Sequence, residues 1–87
     1  MLIEFEGTTI NIENVEYFIS YDDAYTLRDS NIIRHVIRFY LLSKSQFEFS
    51  FKSKYSRDYN YNLILKHYDP ECVLHLEDVN EPINIEL

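Results

Sequence analysis

The longest apolar alternation in the chain runs over residues 32–52 and is broken once, by Ser43, Lys44 and Ser45. Phe47, Phe49 and Phe51 fall on one side of a period-two pattern and Glu48, Ser50 and Lys52 on the other, as a half-buried strand requires. In the preceding arm Ile33, His35, Ile37, Phe39 and Leu41 share one face, with Arg34, Arg38 and Tyr40 opposite. The two arms predict an antiparallel hairpin closed by a three-residue loop. That loop sets Leu41 against Phe47, Phe39 against Phe49 and Ile37 against Phe51, and it brings Arg38 diagonally close to Glu48. Residues 31–42 also admit a helix, because Ile32, Ile33, Val36, Ile37, Tyr40 and Leu41 form a stripe at helical spacing. A run of β-branched and aromatic residues suits a pleated surface better, and the strand is the preferred reading.

The same patterning organises the rest. Residues 2–6 and 8–12 flank Gly7, the only glycine, and predict a short hairpin whose turn uses positive φ. Val15, Tyr17, Ile19 and Tyr21 align on one face of a strand over 15–21, with a helix through Val15, Phe18 and Ile19 as the alternative. Asp22-Asp23 reads as a turn, 24–28 as a short segment, and 29–31 as a second turn. Over about 56–68 a helix is predicted, capped by Ser53 or Ser56 and ended by Pro70. Tyr61, Ile64, Leu65 and Tyr68 form its apolar stripe, with Tyr59 and Leu63 at the margin. Then come a strand over 72–76, a turn over 78–82 and a final strand over 83–87. This order predicts class α+β, an antiparallel β-sheet of about five to seven strands with one main helix on one face. Eighty-seven residues fit a single domain, 1–87.

Aromatic content of 16%, with six Phe and eight Tyr, offsets the small size, since each buried ring removes roughly 150 to 250 Å² from water. Cys72 is the only cysteine, so no intrachain disulfide can form, and a reducing cytoplasm is the expected setting. No basic, apolar leader and no span-length apolar run is present, so neither an export signal nor a membrane anchor is expected. One Gly and one Ala beside ten Ile, seven Asn and eight Tyr is the bias of an AT-rich genome, of which bacteria and phages supply many.

Charge changes the picture, because it is sorted rather than mixed. Residues 1–27 carry a net charge of -6, residues 28–66 carry +5, and residues 67–87 carry -6, giving the net of -7. Two acidic ends flank a basic middle.

Candidate chemistry is sparse. His67, Cys72, His75 and His35 are zinc-ligand types, but alternation puts Cys72 and His75 on opposite faces and His35 on the core face, so no metal site is assigned. No phosphate loop, nucleophile elbow or catalytic triad context exists, and no cofactor or catalytic residue is expected. Cys72 sits in an acidic block, which does not favour a reactive thiolate. What remains is binding. The expected role is a small acidic, non-catalytic protein that occludes a basic, nucleic-acid-binding surface on a partner protein, in the manner of phage or mobile-element inhibitors of host defence such as anti-CRISPR proteins. Complementary potential would steer and select that partner. The residues expected to carry it are Asp22, Asp23, Glu77, Asp78 and Glu81, in turns, with Tyr21 and Tyr25 as anchors. Such a protein would act in the host cytoplasm. Two alternatives stand beside it. One is a nucleic-acid-binding module using Arg34, Arg38, Lys52 and Lys54 on the central hairpin. The other is a homodimer paired through an edge strand at 83–87, which lacks a protective Lys.

Overall fold

A computed structural model describes residues 1–67 and 71–83. Among the described residues, two three-stranded sheets, one α-helix and a single 3-10 turn (Ile12–Asn14) make up the α+β fold. The first sheet has the order β2-β1-β6 and the second the order β3-β4-β5. The strands are β1 (Leu2–Phe5), β2 (Thr8–Asn11), β3 (Val15–Leu27), β4 (Ser30–Leu41), β5 (Gln46–Phe51) and β6 (Val73–His75); the helix α1 spans Lys54–Lys66. The second sheet is antiparallel throughout. The first is mixed, because β6 runs parallel to β1 with Ile3 beside Leu74, which departs from the all-antiparallel expectation.

The β1–β2 turn is Glu6-Gly7, with both residues at positive φ (50° and 81°). This is the two-residue turn whose twist matches the flanking strands. The Gly7 amide also donates to the Glu4 carboxylate at 3.0 Å.

Residues 15–21 and 31–42 are strands, not helices. The expected turn at Asp22-Asp23 does not exist. β3 runs straight through both residues, opposite His35 and Arg34 of β4. The reason is local charge matching: Arg34 bonds Asp23 at 2.5 Å, and His35 Nδ1 lies 2.8 Å from Asp22. Two carboxylates that read as a solvated corner are thereby held in an extended ladder. The actual turn is Arg28-Asp29, both at positive φ (51° and 65°), where glycine would be usual.

The β4–β5 hairpin has the predicted faces but different partners. Ile37 pairs with Phe49, Phe39 with Phe47 and His35 with Phe51, and Arg38 lies directly across from Glu48. Its loop is 42–44, one residue earlier than expected: the Lys44 amide donates to the Leu41 carbonyl, and the Leu41 amide to the Ser45 carbonyl, each at 2.9 Å. Lys44 takes the left-handed conformation that closes such a loop. Moving the loop centre by one residue moves the register by two, which leaves every side chain on its predicted face.

The core lies between the inner face of the second sheet and the layer formed by the first sheet and α1. Ile3, Phe5, Ile37, Phe39, Phe49, Phe51, Ile64 and Leu76 form it. Phe5 links the sheets, its ring centroid 4.7 Å from that of Phe51 and 5.2 Å from that of Phe49. Burying each such ring is worth about 1.5 to 3 kcal/mol.

The helix starts two residues earlier than predicted, with Ser53 as the cap, its hydroxyl accepting from the Ser56 amide at 3.0 Å. Its inward face is not the predicted apolar stripe. Ile64 is buried and Tyr61 half-buried, but Leu65 and Tyr59 are exposed, and Tyr68 lies outside the described residues. The buried positions are Ser56, Arg57, Asn60 and Ile64. Three of the four are polar because they hold other elements in place. Asn60 reads the backbone of Glu77 as a strand neighbour would: its Nδ2 donates to the Glu77 carbonyl at 2.7 Å and its Oδ1 accepts from the Glu77 amide at 3.2 Å. The Ser56 hydroxyl donates to Asp78 at 2.5 Å and accepts from the Val79 amide at 3.0 Å. Residues 76–83 are therefore irregular, strapped to the helix through 77–79, and the turn expected over 78–82 is absent because Asp78 is consumed in fastening the strap. Of the expected final strand, Ile83 is exposed and 84–87 lie outside the described residues.

Candidate binding surface

Strand alternation sorts β3 and β4 into an inner and an outer face. Phe18, Ser20 and Asp22 of β3 share the inner side with Ile37 and Phe39, over which the helix lies: the Phe18 and Tyr61 rings meet at 5.2 Å. Tyr17, Ile19, Tyr21, Asp23, Tyr25 and Leu27 share the outer side with Ile32, Arg34, Val36, Arg38 and Tyr40 of β4 and Glu48 of β5. No element among the described residues covers that outer face.

A charged and aromatic lattice fills its centre. Arg38 bonds Glu48 through Nε at 2.8 Å and through Nη2, and its Nη1 donates to the Tyr40 hydroxyl at 3.3 Å. The Tyr21 hydroxyl donates to the same Glu48 carboxylate at 3.0 Å. The Arg38 guanidinium also sits 4.9 Å from the Tyr21 ring centroid, within cation–π range. The Arg38 bond holds the Glu48 carboxyl below the usual range, and burial followed by the Glu48 bond pushes the Tyr21 hydroxyl up. The guanidinium pKa values of Arg34 and Arg38 are raised in turn, chiefly by hydrogen bonds to Asp23 and to Tyr40 and Glu48 respectively. Tyr17 and Tyr40 stack at 4.3 Å. Beneath this lattice Val36 is fully buried, although it faces away from the core.

Beyond the lattice the β3–β4 pair outruns its sheet. β5 pairs only with residues 35–40, so residues 24–33 project as a two-stranded ribbon. Every residue of that ribbon except Ile32 is exposed. Tyr25 (42%), Leu27 (53%) and Ile33 (57%) are large apolar groups left in water there.

The structure does not gather the expected partner-binding residues into one patch. Tyr21, Asp23 and Tyr25 lie on the outer face. Asp22 points inward, where it bonds Arg57 and His35. The His35 bond, with help from Arg57, holds the Asp22 carboxyl below its usual range. Arg57 is buried and also bonds Asp58 at 2.9 Å, so Asp22 is an anchor between sheet and helix. Asp78, though exposed, is spent on fastening the strap, accepting also from the Lys52 amide at 3.2 Å. Glu77 and Glu81 are exposed on that strap. None of Asp22, Asp23 and Asp78 lies in a turn, which corrects the placement read from sequence. The alternative set is divided too. Arg34 and Arg38 share the outer face with their carboxylate partners, while Lys52 reaches Asn80 and the Lys54 charge helps hold the Asp22 carboxyl down.

Tyr17, Ile19, Leu27 and Ile33 are exposed surface residues that the sequence reading does not assign to a binding role, whereas Tyr40 sits on the face expected for it. The signal was available: the alternation Val15, Tyr17, Ile19, Tyr21 continues in phase through Asp23, Tyr25 and Leu27. A turn placed at Asp22-Asp23 cut it short.

The metal-ligand types fall in three separate places. His67 Nε2 touches Cys72 Sγ at 2.6 Å, His75 Nδ1 lies 2.9 Å from Glu4, and His35 meets Asp22. Among the described residues no three such groups converge. Nor is any helix among them long and apolar enough to cross a membrane. No protein-family model, curated protein or solved structure matches the chain.

Proposed function

We propose that the chain is a non-catalytic binding protein that docks its projecting ribbon and the adjoining outer face onto a partner protein. The partner we propose is basic, a nucleic-acid-binding protein whose surface is occluded, as by a phage or mobile-element inhibitor. The observation that carries this reading is the ribbon. Residues 24–33 lend nothing to the core, and a two-stranded ribbon is marginal in water on its own. Exposed aromatic and aliphatic groups on such a projection, Tyr25 and Leu27 on its outer side and Ile33 on its inner side, favour a protein contact, with tyrosines as anchors. The sign of the partner comes from the net charge of -7, which steers an approaching partner at long range; the exposed Glu77 and Glu81 lie on the strap, off the docking face. Arg34 and Arg38 speak against direct nucleic-acid binding, because each guanidinium would have to leave a carboxylate to meet a phosphate.

Capture from a bacterial lysate tests the proposal, using the whole chain and a Leu27→Ser/Ile33→Ser variant as baits. The native chain is expected to recover a nucleic-acid-binding protein and to weaken that protein's hold on an oligonucleotide, and the variant to lose both while melting as the native chain does. Recovery of a partner unrelated to nucleic acids, or an undiminished grip by the variant, overturns it. A mobility shift of an oligonucleotide by the chain alone at about 50 mM salt would favour the nucleic-acid reading instead, since the electrostatic term is strong there.

A further inference from the structure

β3 is the outermost strand of its sheet, and among the described residues nothing pairs with its free side. The two-residue turn fixes which backbone groups that side offers. Leu27 and Ser30 close the hairpin as a hydrogen-bonded pair, so the odd-numbered residues of β3 from Tyr17 to Leu27 spend their amides and carbonyls on β4. Those of Phe18, Ser20, Asp22, Ala24 and Thr26 point outward. Exposed edges are ordinarily guarded by Lys, by Pro, by a β-bulge or by inward-pointing charge, and β3 has of these only a bulge at its Val15 end and the inward Asp22. β3 has thirteen residues with no Lys, Arg or Pro among them. Each of its three carboxylates already has a cation from its own chain: Glu16 has Lys44 at 3.3 Å, Asp22 has Arg57, and Asp23 has Arg34. An edge that reads as acidic is therefore electrically compensated, which removes the repulsion that would keep two of them apart.

We propose that this edge takes a second copy of itself, antiparallel about a twofold axis at Tyr21, the midpoint of Val15–Leu27. Read against its own reverse, the strand is self-complementary. Phe18 faces the partner's Ala24, and Ser20 faces the partner's Asp22, both as hydrogen-bonded pairs made from the outward-pointing groups. Tyr17 faces the partner's Tyr25, Ile19 the partner's Asp23, and Glu16, at the β-bulge, the partner's Thr26. No carboxylate meets a carboxylate, and the Ser20 hydroxyl stands opposite an acceptor. Neighbouring registers are worse. A twofold at Asp22 sets that carboxylate against itself, which is destabilising. A twofold at Ser20 sets Tyr17 and Phe18 against the partner's Asp23 and Asp22. The product is a six-stranded sheet in which main-chain bonds supply the affinity. Its outer face stays open, with Tyr17, Tyr21 and Tyr25 of both copies lining the seam. The pairing is independent of the heterologous partner proposed above: a strict monomer would sink the pairing and leave that reading standing.

Sedimentation velocity on the whole chain from about 1 to 500 µM tests it, a range suited to a small interface. The expected mass rises with concentration from 10.6 kDa to twice that value. Ala24→Pro removes an outward amide and none that serves β4, and is expected to weaken dimerisation about tenfold or more. Cross-linking reads the register. In a Cys72→Ser background, Tyr21→Cys lies opposite its own copy at a Cα separation of about 4.5 Å in a non-hydrogen-bonded pair, and is expected to oxidise to a covalent dimer. Ile19→Cys places its sulfurs four residues out of step, roughly 13 Å apart, and is expected to remain monomeric. A monomer at every concentration, a dimer indifferent to Ala24→Pro, or equal cross-linking at both positions overturns the proposal.

Discussion

Asn60 is the residue whose replacement should discriminate most sharply between a polar fastening and a merely polar surface. Its side chain is fully buried and makes three hydrogen bonds, two to the Glu77 backbone and one from Nδ2 to the Ser56 carbonyl at 2.8 Å. Asn60→Ala removes all three and leaves the Glu77 amide and carbonyl without their partner. At about 1 kcal/mol net for each of the two Glu77 bonds, with a smaller term for the void, the loss is about 2 to 3 kcal/mol. A domain of this size has roughly 4 to 13 kcal/mol in total. The melting temperature should fall by about 10 to 20 °C, read by far-UV circular dichroism. Asn60→Asp goes further. Its carboxylate would accept from the Glu77 amide, but the other oxygen would face the Glu77 and Ser56 carbonyls in a fully buried site. The loss near neutral pH is about 3 to 5 kcal/mol. Burial raises the folded pKa of the introduced carboxyl above its unfolded value of about 3.9, so the penalty is absent below that value and grows as pH rises toward the folded pKa. Measured against the native chain at each pH, Asn60→Asp should therefore recover stability on acidification, when the protonated carboxyl can donate to a carbonyl, whereas Asn60→Ala should not. An Ala variant within about 0.5 kcal/mol of the native chain, or an Asp variant whose deficit ignores pH, would refute the reasoning.

Two further outcomes follow from the geometry. Arg28 and Asp29 hold positive φ without being glycine, so Arg28→Asn/Asp29→Gly should stabilise the chain by about 1 kcal/mol, measured as a higher urea midpoint at unchanged slope. Glu48, Asp22 and Glu4 all have folded pKa values below their unfolded ones, set chiefly by bonds to Arg38, His35 and His75 respectively. Their stabilisation is complete above about pH 4.5 and is lost as pH falls through the folded values. Glu48→Gln should flatten the acid limb of a stability-against-pH curve, and a curve identical to that of the native chain would remove the outer-face network from the account.

Where burial dictated a pattern, the sequence was legible. Period two in Phe47, Phe49 and Phe51 gave β5 its inner face, and of the two caps the sequence offers, Ser53 and Ser56, the first starts the helix. Partner choice was harder, since a shift of two residues preserves every face and is decided by which residue of 42–45 can turn left-handed. The fate of the polar residues was hardest. Asp22 and Asp23 look like a corner until Arg57, 34 residues beyond Asp23, and Arg34 are seen beside them. Ser56, Arg57 and Asn60 look like a solvent face until the strap at 77–79 is laid against them. Both are long-range ion pairs or hydrogen bonds, and no local pattern encodes them.

β1 precedes the other described strands and is the central one of its sheet, yet β6, which flanks it, lies about seventy residues downstream. At roughly 5 to 20 residues per second the ribosome needs about 4 to 14 s to supply that neighbour. Through most of that interval Ile3 and Phe5 lack the core partners they later meet, Phe49 and Phe51 among them. Folding of the nascent chain is thereby deferred until translation has passed the helix, and chaperones have their longest access to the very residues that end up most deeply enclosed.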